Sequence, residues 1–295
     1  MAMTRARPLL VASIAALCLA LSACAASVPS DGDAETSPTP DTSVAPELAD
    51  ATVLVGQWRV VDAAGTGPDT WLRLGLGVEV WADCGYAWGS WRAAGKVILA
   101  SVDGATGSTE CIREPTLEGA AESLRWLIAA VSYESRDNGI ALLDGNGDVV
   151  ATLVDDGTSP PPDPNTPDEG PPTLTPEIAA RLATPAPLPS TAVPVEDLEG
   201  RWLPTDRTDV SFKAELVLGA DGYWTGSDGC NGSWGRFVTG ADGLLLTTSG
   251  GWTEMGCENS RVLEWMTATS RAGMVGDELV LYDASGNVLG SLVRP

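Results

Sequence analysis

Four cysteines, one asparagine set among glycines and an aspartate-rich turn are the residues of this 295-residue chain whose types and spacing could do chemistry. Cys84 and Cys111 stand 27 residues apart, and so do Cys230 and Cys257 (111 − 84 and 257 − 230). A four-cysteine zinc site requires close pairs of the C-x-x-C kind, and the sequence has none. Thiol or hydroxyl nucleophiles need a base, and with no histidine in the chain the commonest base and the commonest neutral metal ligand are both missing. The equal separations instead suit one disulfide within each of two segments, provided that the chain reaches an oxidising compartment. In "DGCNGSWGRF", Asp228 to Phe237, Asn231 and the glycines fit a tight strand entry better than a catalytic amide. "DGNGD", Asp144 to Asp148, spaces oxygen donors as a calcium loop does, but no glutamate completes it, and "DASGN", Asp283 to Asn287, reads the same way. A hairpin turn explains both. The reading therefore assigns no metal, no cofactor and no catalytic residue.

The chain must be exported for those disulfides to form, and its beginning is consistent with export. Arg5 and Arg7 precede an apolar run from Leu9 to Leu21, too short for the ~20 residues of a spanning helix. The run ends in Leu21-Ser22-Ala23-Cys24, which resembles the lipobox of bacterial lipoprotein signal peptides. That resemblance implies removal of residues 1–23 and a lipidated Cys24 that anchors the protein to the outer face of the cytoplasmic membrane or to the cell envelope. Residues 24–51 are small, acidic and rich in Pro, Ser and Thr, and read as a disordered tether able to reach on the order of 80 Å. With 17 Lys and Arg against 40 Asp and Glu, the net charge of −23 repels phosphate backbones. Nucleic acid is excluded as a partner on that ground.

A second Pro-rich stretch, 155–195, divides the remainder. Inside it Thr175 to Ala183 reads as a short helix with Thr175 as cap and Pro176 at the first helical position. The flanking segments, 52–154 and 196–295, are copies of one another. Cys84, Trp88 and Gly89 align with Cys230, Trp234 and Gly235; Gly56-Gln57-Trp58 aligns with Gly200-Arg201-Trp202; "IALLDGNGDVVATLV" aligns with "LVLYDASGNVLGSLV". Each copy reads as four strands, a helix and a closing hairpin. Ser260 is the expected helix cap, and turns are expected at Gly219 to Gly222 and at Gly240 to Gly243. The fold class is mainly β with one helix per domain: two small antiparallel barrel-like domains, expected to fold separately because the Pro-rich linker offers nothing to share a core.

Gly229-Cys230-Asn231, Gly235, Phe237 and the run Thr253-Glu254-Met255-Gly256-Cys257 before a helix resemble the META domain of HslJ-like bacterial envelope proteins. The first copy departs from the pattern, with Gly85 where the family has Asn and Ser108-Thr109-Glu110-Cys111 in place of the second motif. The resemblance implies a compact antiparallel β-domain with a helix packed across it, and an envelope or stress role without an established reaction.

The function expected from these readings is that of a lipid-anchored, monomeric, non-catalytic binding or envelope-maintenance module. Eleven Trp against two Phe suggest an apolar concavity edged by Trp81 and Trp88 in the first copy and by Trp224, Trp234 and Trp252 in the second. Its ligand would be a lipid or a peptide segment. A filled interior, with an envelope protein bound on the outer surface, is the competing expectation. The alternative class is a carboxylate-based hydrolase acting on cell-wall or envelope substrates.

Overall fold

The computed structural model describes residues 50–83, 85–107, 121–160, 170–206, 213–251, 253–256 and 259–295. One turn of 3-10 helix at Ala51–Leu54, capped by the Asp50 carboxylate on the Thr52 N–H at 2.9 Å, leads into the first domain. Its strands are β1 (Gly56–Val61), β2 (Trp71–Leu74), β3 (Val78–Ala82), β4 (Gly85–Ala94), β5 (Val97–Gly107), β6 (Ser132–Arg136), β7 (Gly139–Leu143) and β8 (Val149–Val154). They pair antiparallel in chain order and β8 closes on β1, making a barrel. Alternate side chains point inward, so that Leu72, Leu74, Val78, Val80 and Ala87 fill the interior. Helix α1 (Glu122–Ala129), between β5 and β6, adds Leu124, Trp126 and Leu127 to that core.

Between the domains run α2 (Pro176–Leu182) and a two-residue strand, β9 (Thr191–Ala192). A short helical turn, α3 (Val195–Leu198), then opens the second domain. Its strands are β10 (Gly200–Pro204), β11 (Glu215–Leu218), β12 (Tyr223–Ser227), β13 (Gly232–Thr239), β14 (Leu245–Thr247), β15 (Arg271–Val275), β16 (Glu278–Tyr282) and β17 (Val288–Val293). Helix α4 (Val262–Ala268) lies between β14 and β15. This second sheet is not a closed ring: β14 and β15 meet through one bridge, Leu244 to Arg271, and β9 pairs further along β15 at Gly273 and Met274.

The two domains repeat each other down to register. Trp58 faces Leu72 as Trp202 faces Leu216, Val78 faces Gly89 as Trp224 faces Gly235, and Ile140 faces Leu153 as Leu279 faces Leu292. Even the irregularity at Leu142/Leu143 returns at Leu281/Tyr282. The indole N–H of Trp58 donates to the Leu54 carbonyl and that of Trp202 to the Leu198 carbonyl, at 2.9 and 2.8 Å. Asp144 and Asp283 both fold their carboxylates back onto their own turns, accepting N–H groups two and four residues on. These are the expected hairpin turns.

Each domain has five strands before its helix and three after it, where the sequence suggested four and two. The overlooked strands lack alternation: β10 is "GRWLP", β15 is "RAGMV", and β6 is "SYESR" with its last three residues exposed. Pairing with neighbours, not intrinsic propensity, makes them strands. Ser260 does accept the Val262 N–H at 3.2 Å at the start of α4, and Thr175 accepts the Ile178 N–H at 3.3 Å at the start of α2, as expected.

The described part of the Pro-rich segment is not the inert spacer that the sequence suggested. Ile178 and Leu182 of α2 are buried in the core of the first barrel. The chain beyond α2 follows the second sheet: the Ala186 N–H donates to the Ala284 carbonyl at 2.9 Å, Arg271 donates to the Pro185 carbonyl at 3.1 Å, and β9 extends β15. Proline lacks a backbone donor but keeps its carbonyl and ring, so a Pro-rich strap can still be fastened.

The domains also touch directly. Ala94 and Leu99 of the first pack with Leu244 and Leu246 of the second in one buried cluster, with Val97 and Val238 at its margin. The β4–β5 hairpin lies on β13–β14 so that β5 meets β13 and β4 meets β14, each strand meeting the counterpart of its own hairpin partner. From Asp50 to Pro295 the described residues form one compact unit. The linker is therefore fastened at both ends, and the two copies share this small cluster besides their own cores.

The Trp-Gly steps of the repeat have a steric cause. A Cβ on Gly89 would stand 2.0 Å from the Ser101 carbonyl oxygen, and one on Gly235 2.0 Å from that of Thr248, because neighbouring strands cross there in close contact. Gly235→Ala should therefore lose about 1–3 kcal/mol of stability. Gly251→Ala, whose Cβ meets nothing within 4 Å, should stay within about 0.5 kcal/mol of the parent. Urea denaturation of the two variants side by side measures the difference.

Candidate functional site

The "DGCN" stretch forms the turn between β12 and β13, and its polar groups are consumed in holding that turn to the segment before α4. Asp228 Oδ1 accepts the backbone N–H groups of Cys230 at 2.8 Å and Asn231 at 2.5 Å. Its Oδ2 accepts the side-chain amides of Asn231, at 3.2 Å, and Asn259. Asn231 in turn binds the backbone of Met255 from both ends of its amide, accepting the N–H at 2.6 Å and donating to the carbonyl at 3.2 Å. The Asp228 carbonyl accepts the Ser260 N–H at 2.8 Å, which ties the turn to the start of α4. Gly229, at φ +94°, lets the chain reverse.

Burial opposes ionisation of Asp228 most strongly, but the N–H of Asn231, the Asn259 amide and the N–H of Cys230 together outweigh it. The carboxyl is held below its ordinary range. An aspartate fixed as an anion, with both oxygens committed to donors, is a structural brace and a poor proton donor. A shallow cleft of about 330 Å³ lies beside it, lined by Asn231, Met255, Asn259 and Leu263 among others, with Met255 59% exposed. The first domain lacks this brace, because Ala82 and Gly85 occupy the equivalent places. Gly85 there takes φ +131°.

The four described tryptophans among those proposed do not converge on one pocket. Trp224 is 1% exposed, faces the core opposite Gly235 and satisfies its N–H on the Thr248 carbonyl at 2.9 Å. In this structure it packs in the core of the second domain. Trp234 pairs with Thr225 on the opposite face, half-buried over Gly250. The pleat puts Trp224 and Trp234 on opposite sides of one sheet. Trp81 and Trp88 share the outer face of the first barrel with Tyr86, whose ring centroid is 5.2 Å from the first and 5.7 Å from the second. Trp81 is buried and Trp88 is 40% exposed. Cys24, Cys84, Cys111, Cys257 and Trp252 lie outside the described residues, while Cys230 sits in the Asp228 turn.

Sequence reasoning passed over three arginines at the junction of the domains. Arg236, 7% exposed, donates across the junction to the Ala100 carbonyl. Arg92 donates the other way, to the Thr267 carbonyl at 3.2 Å and the Ser270 hydroxyl at 2.8 Å. Arg181 of α2 donates to the Leu76 and Trp91 carbonyls at 2.7 and 3.4 Å. A signal did exist: aligned on the repeat, Arg236 stands where the first copy has Ser90, and Arg92 where the second has Val238.

An eight-stranded antiparallel β-domain with one helix across it, its DGCN turn braced to the helix, is the class of structure that the second half defines. Residues 194–294 match the family model of the META domain. No curated protein and no solved structure matches the chain.

The brace makes stability depend on pH in a defined direction. A carboxyl whose pKa is depressed by folding contributes stability above its unfolded pKa and loses that contribution as pH falls through the folded value. Asp228→Asn should cost about 1–3 kcal/mol at neutral pH. The gap from the parent should close progressively below about pH 4. Denaturation series for both proteins across that range test this, and a gap independent of pH would show that the charge of Asp228 is not what the turn uses.

Proposed function

We propose that the chain is an exported, lipid-anchored binding module of the cell envelope that acts without catalysis. The observation that carries this reading is the META match over the whole second domain, which points to an envelope or stress-related module. Three further features support it. The lipobox-like Leu21-Ser22-Ala23-Cys24 supplies an anchor, and the acidic, Pro-rich stretch after it supplies reach. The motif that looked most like a site is spent on bracing a turn. The first domain, which repeats the second in strand order and register, is proposed as a diverged copy of the same module.

In this reading Cys84 pairs with Cys111 and Cys230 with Cys257. The equal separations support it, and residues 253–256 run beside the Cys230 turn through the Asn231 bonds to Met255. Each bridge would stabilise its domain by up to ~3.5 kcal/mol in the chain-entropy picture. Peptide mapping without reductant should give those two linked pairs, and a Cys84–Cys230 peptide would contradict them.

Cys24→Ala should move the protein from the membrane fraction to the soluble fraction, because two acyl chains hold where one does not. Retention of the variant on membranes would refute the anchor. Steady turnover of cell-wall or envelope fragments by the purified chain, in place of saturable binding, would establish the hydrolase alternative.

A further inference from the structure

An open cleft of about 720 Å³ lies between the domains, walled by β4, α2, the end of β14, the C-terminal end of α4 and the β16–β17 turn. Arg92 enters it from β4 and Arg181 from α2. Both guanidinium groups are aimed by neutral acceptors: Arg92 by the Thr267 and Thr269 carbonyls and the Ser270 hydroxyl, Arg181 by the Leu76 and Trp91 carbonyls. Those bonds set position without cancelling charge. The ion pairs of the described residues use Arg59, Arg73, Arg136, Arg201 and Arg261, and neither cleft arginine takes part in one.

The missing counter-charge is notable in a chain with 40 Asp and Glu against 17 Lys and Arg. Two carboxylates reach the cleft. Asp283 is committed to its own turn, where it accepts from Ser285, Asn287 and the Asn287 amide. Glu177 is exposed and forms no ion pair among the described residues. Burial first, and Arg181 second, lower the Arg92 guanidinium to about 10, so the two cations already strain against each other. Of the hydroxyls in the wall, that of Ser90 is bonded to Ser101 and that of Thr247 donates to the Met266 carbonyl, while Ser285 is exposed and the buried Ser249 hydroxyl has no partner.

We propose that this interdomain cleft binds a small molecule bearing an oxyanion, a carboxylate or a phosphate, with Arg92 and Arg181 holding the anion. Planar guanidinium forks match either oxyanion, and fixed forks lose little freedom on binding. Pockets at domain junctions are common ligand sites. The site goes beyond the envelope-module reading and stands whether or not Cys24 carries lipid.

Isothermal titration of the full chain in detergent tests it, with glucuronate, glucose 6-phosphate, inorganic phosphate and neutral glucose as the probes. One of the two sugar anions should bind saturably, and which one does decides between carboxylate and phosphate. Glucose should not bind. Arg181→Gln should weaken binding at least about tenfold, the loss expected for a charged hydrogen-bonding partner. Glu177→Gln, which removes the competing carboxylate, should strengthen binding a few-fold, a gain that misfolding does not produce. No saturable binding of either sugar anion, or Arg181→Gln binding as tightly as the parent while melting at the same temperature, would overturn the proposal.

Discussion

Two β-domains on one chain can share a binding surface only if their separation and orientation are held, and here a dry patch of aliphatic side chains holds them. Leu99 from β5 and Leu244 and Leu246 beside and within β14 bury one another, with Ala94 alongside. Burial of leucine-sized groups is non-directional and contributes on the order of 2 kcal/mol each. The patch alone would therefore allow the sheets to slide. Direction comes from the polar bonds around it, Arg236 onto Ala100 and Arg92 onto Thr267 and Ser270, which break if the sheets shift by an ångström or two. The strap from α2 to β9 then fastens the first barrel to the second sheet at a further place.

The two halves use the same scaffold for different ends. In the second, Asp228 and Asn231 brace the strand turn to the loop before α4. In the first, Ala82 and Gly85 stand in those places and no such brace can form. What both halves keep is the strand register, the indole bond of Trp58 and Trp202, and the glycine pressed against a neighbouring carbonyl. Those are the demands of the fold itself. The brace is an addition to it, and it lies within the half that matches the META model.

Much of this was legible in the sequence because repetition doubles every signal. The hairpin turns at Asp144 and Asp283, the cap at Thr175 and the mainly β class follow from local rules that act over a few residues. The strands β6, β10 and β15 did not, since their residues have no strand pattern of their own and are recruited by neighbours. The placing of the tryptophans was not legible either: abundance says nothing about which side of a pleat a residue takes, and Trp224 and Trp234 take opposite sides. The junction was invisible because Leu99 and Leu246 look like ordinary alternating strand residues. Only the departures from the repeat, Arg92 for Val238 and Arg236 for Ser90, pointed to it.

The repetition of one fold in two contacting halves has a consequence for what their shared surface can become. In a pair of identical subunits every substitution arrives twice, once on each side of the axis, and any site on the axis must be its own mirror in chemistry. Joining the halves in one chain removes that restriction. Arg92 faces the C-terminal end of α4, while its counterpart, Val238, sits at the edge of an aliphatic patch. Equivalent places in the two halves are thus free to differ, one a cation at an open cleft and the other an aliphatic margin, a division of labour that no symmetric pair could adopt.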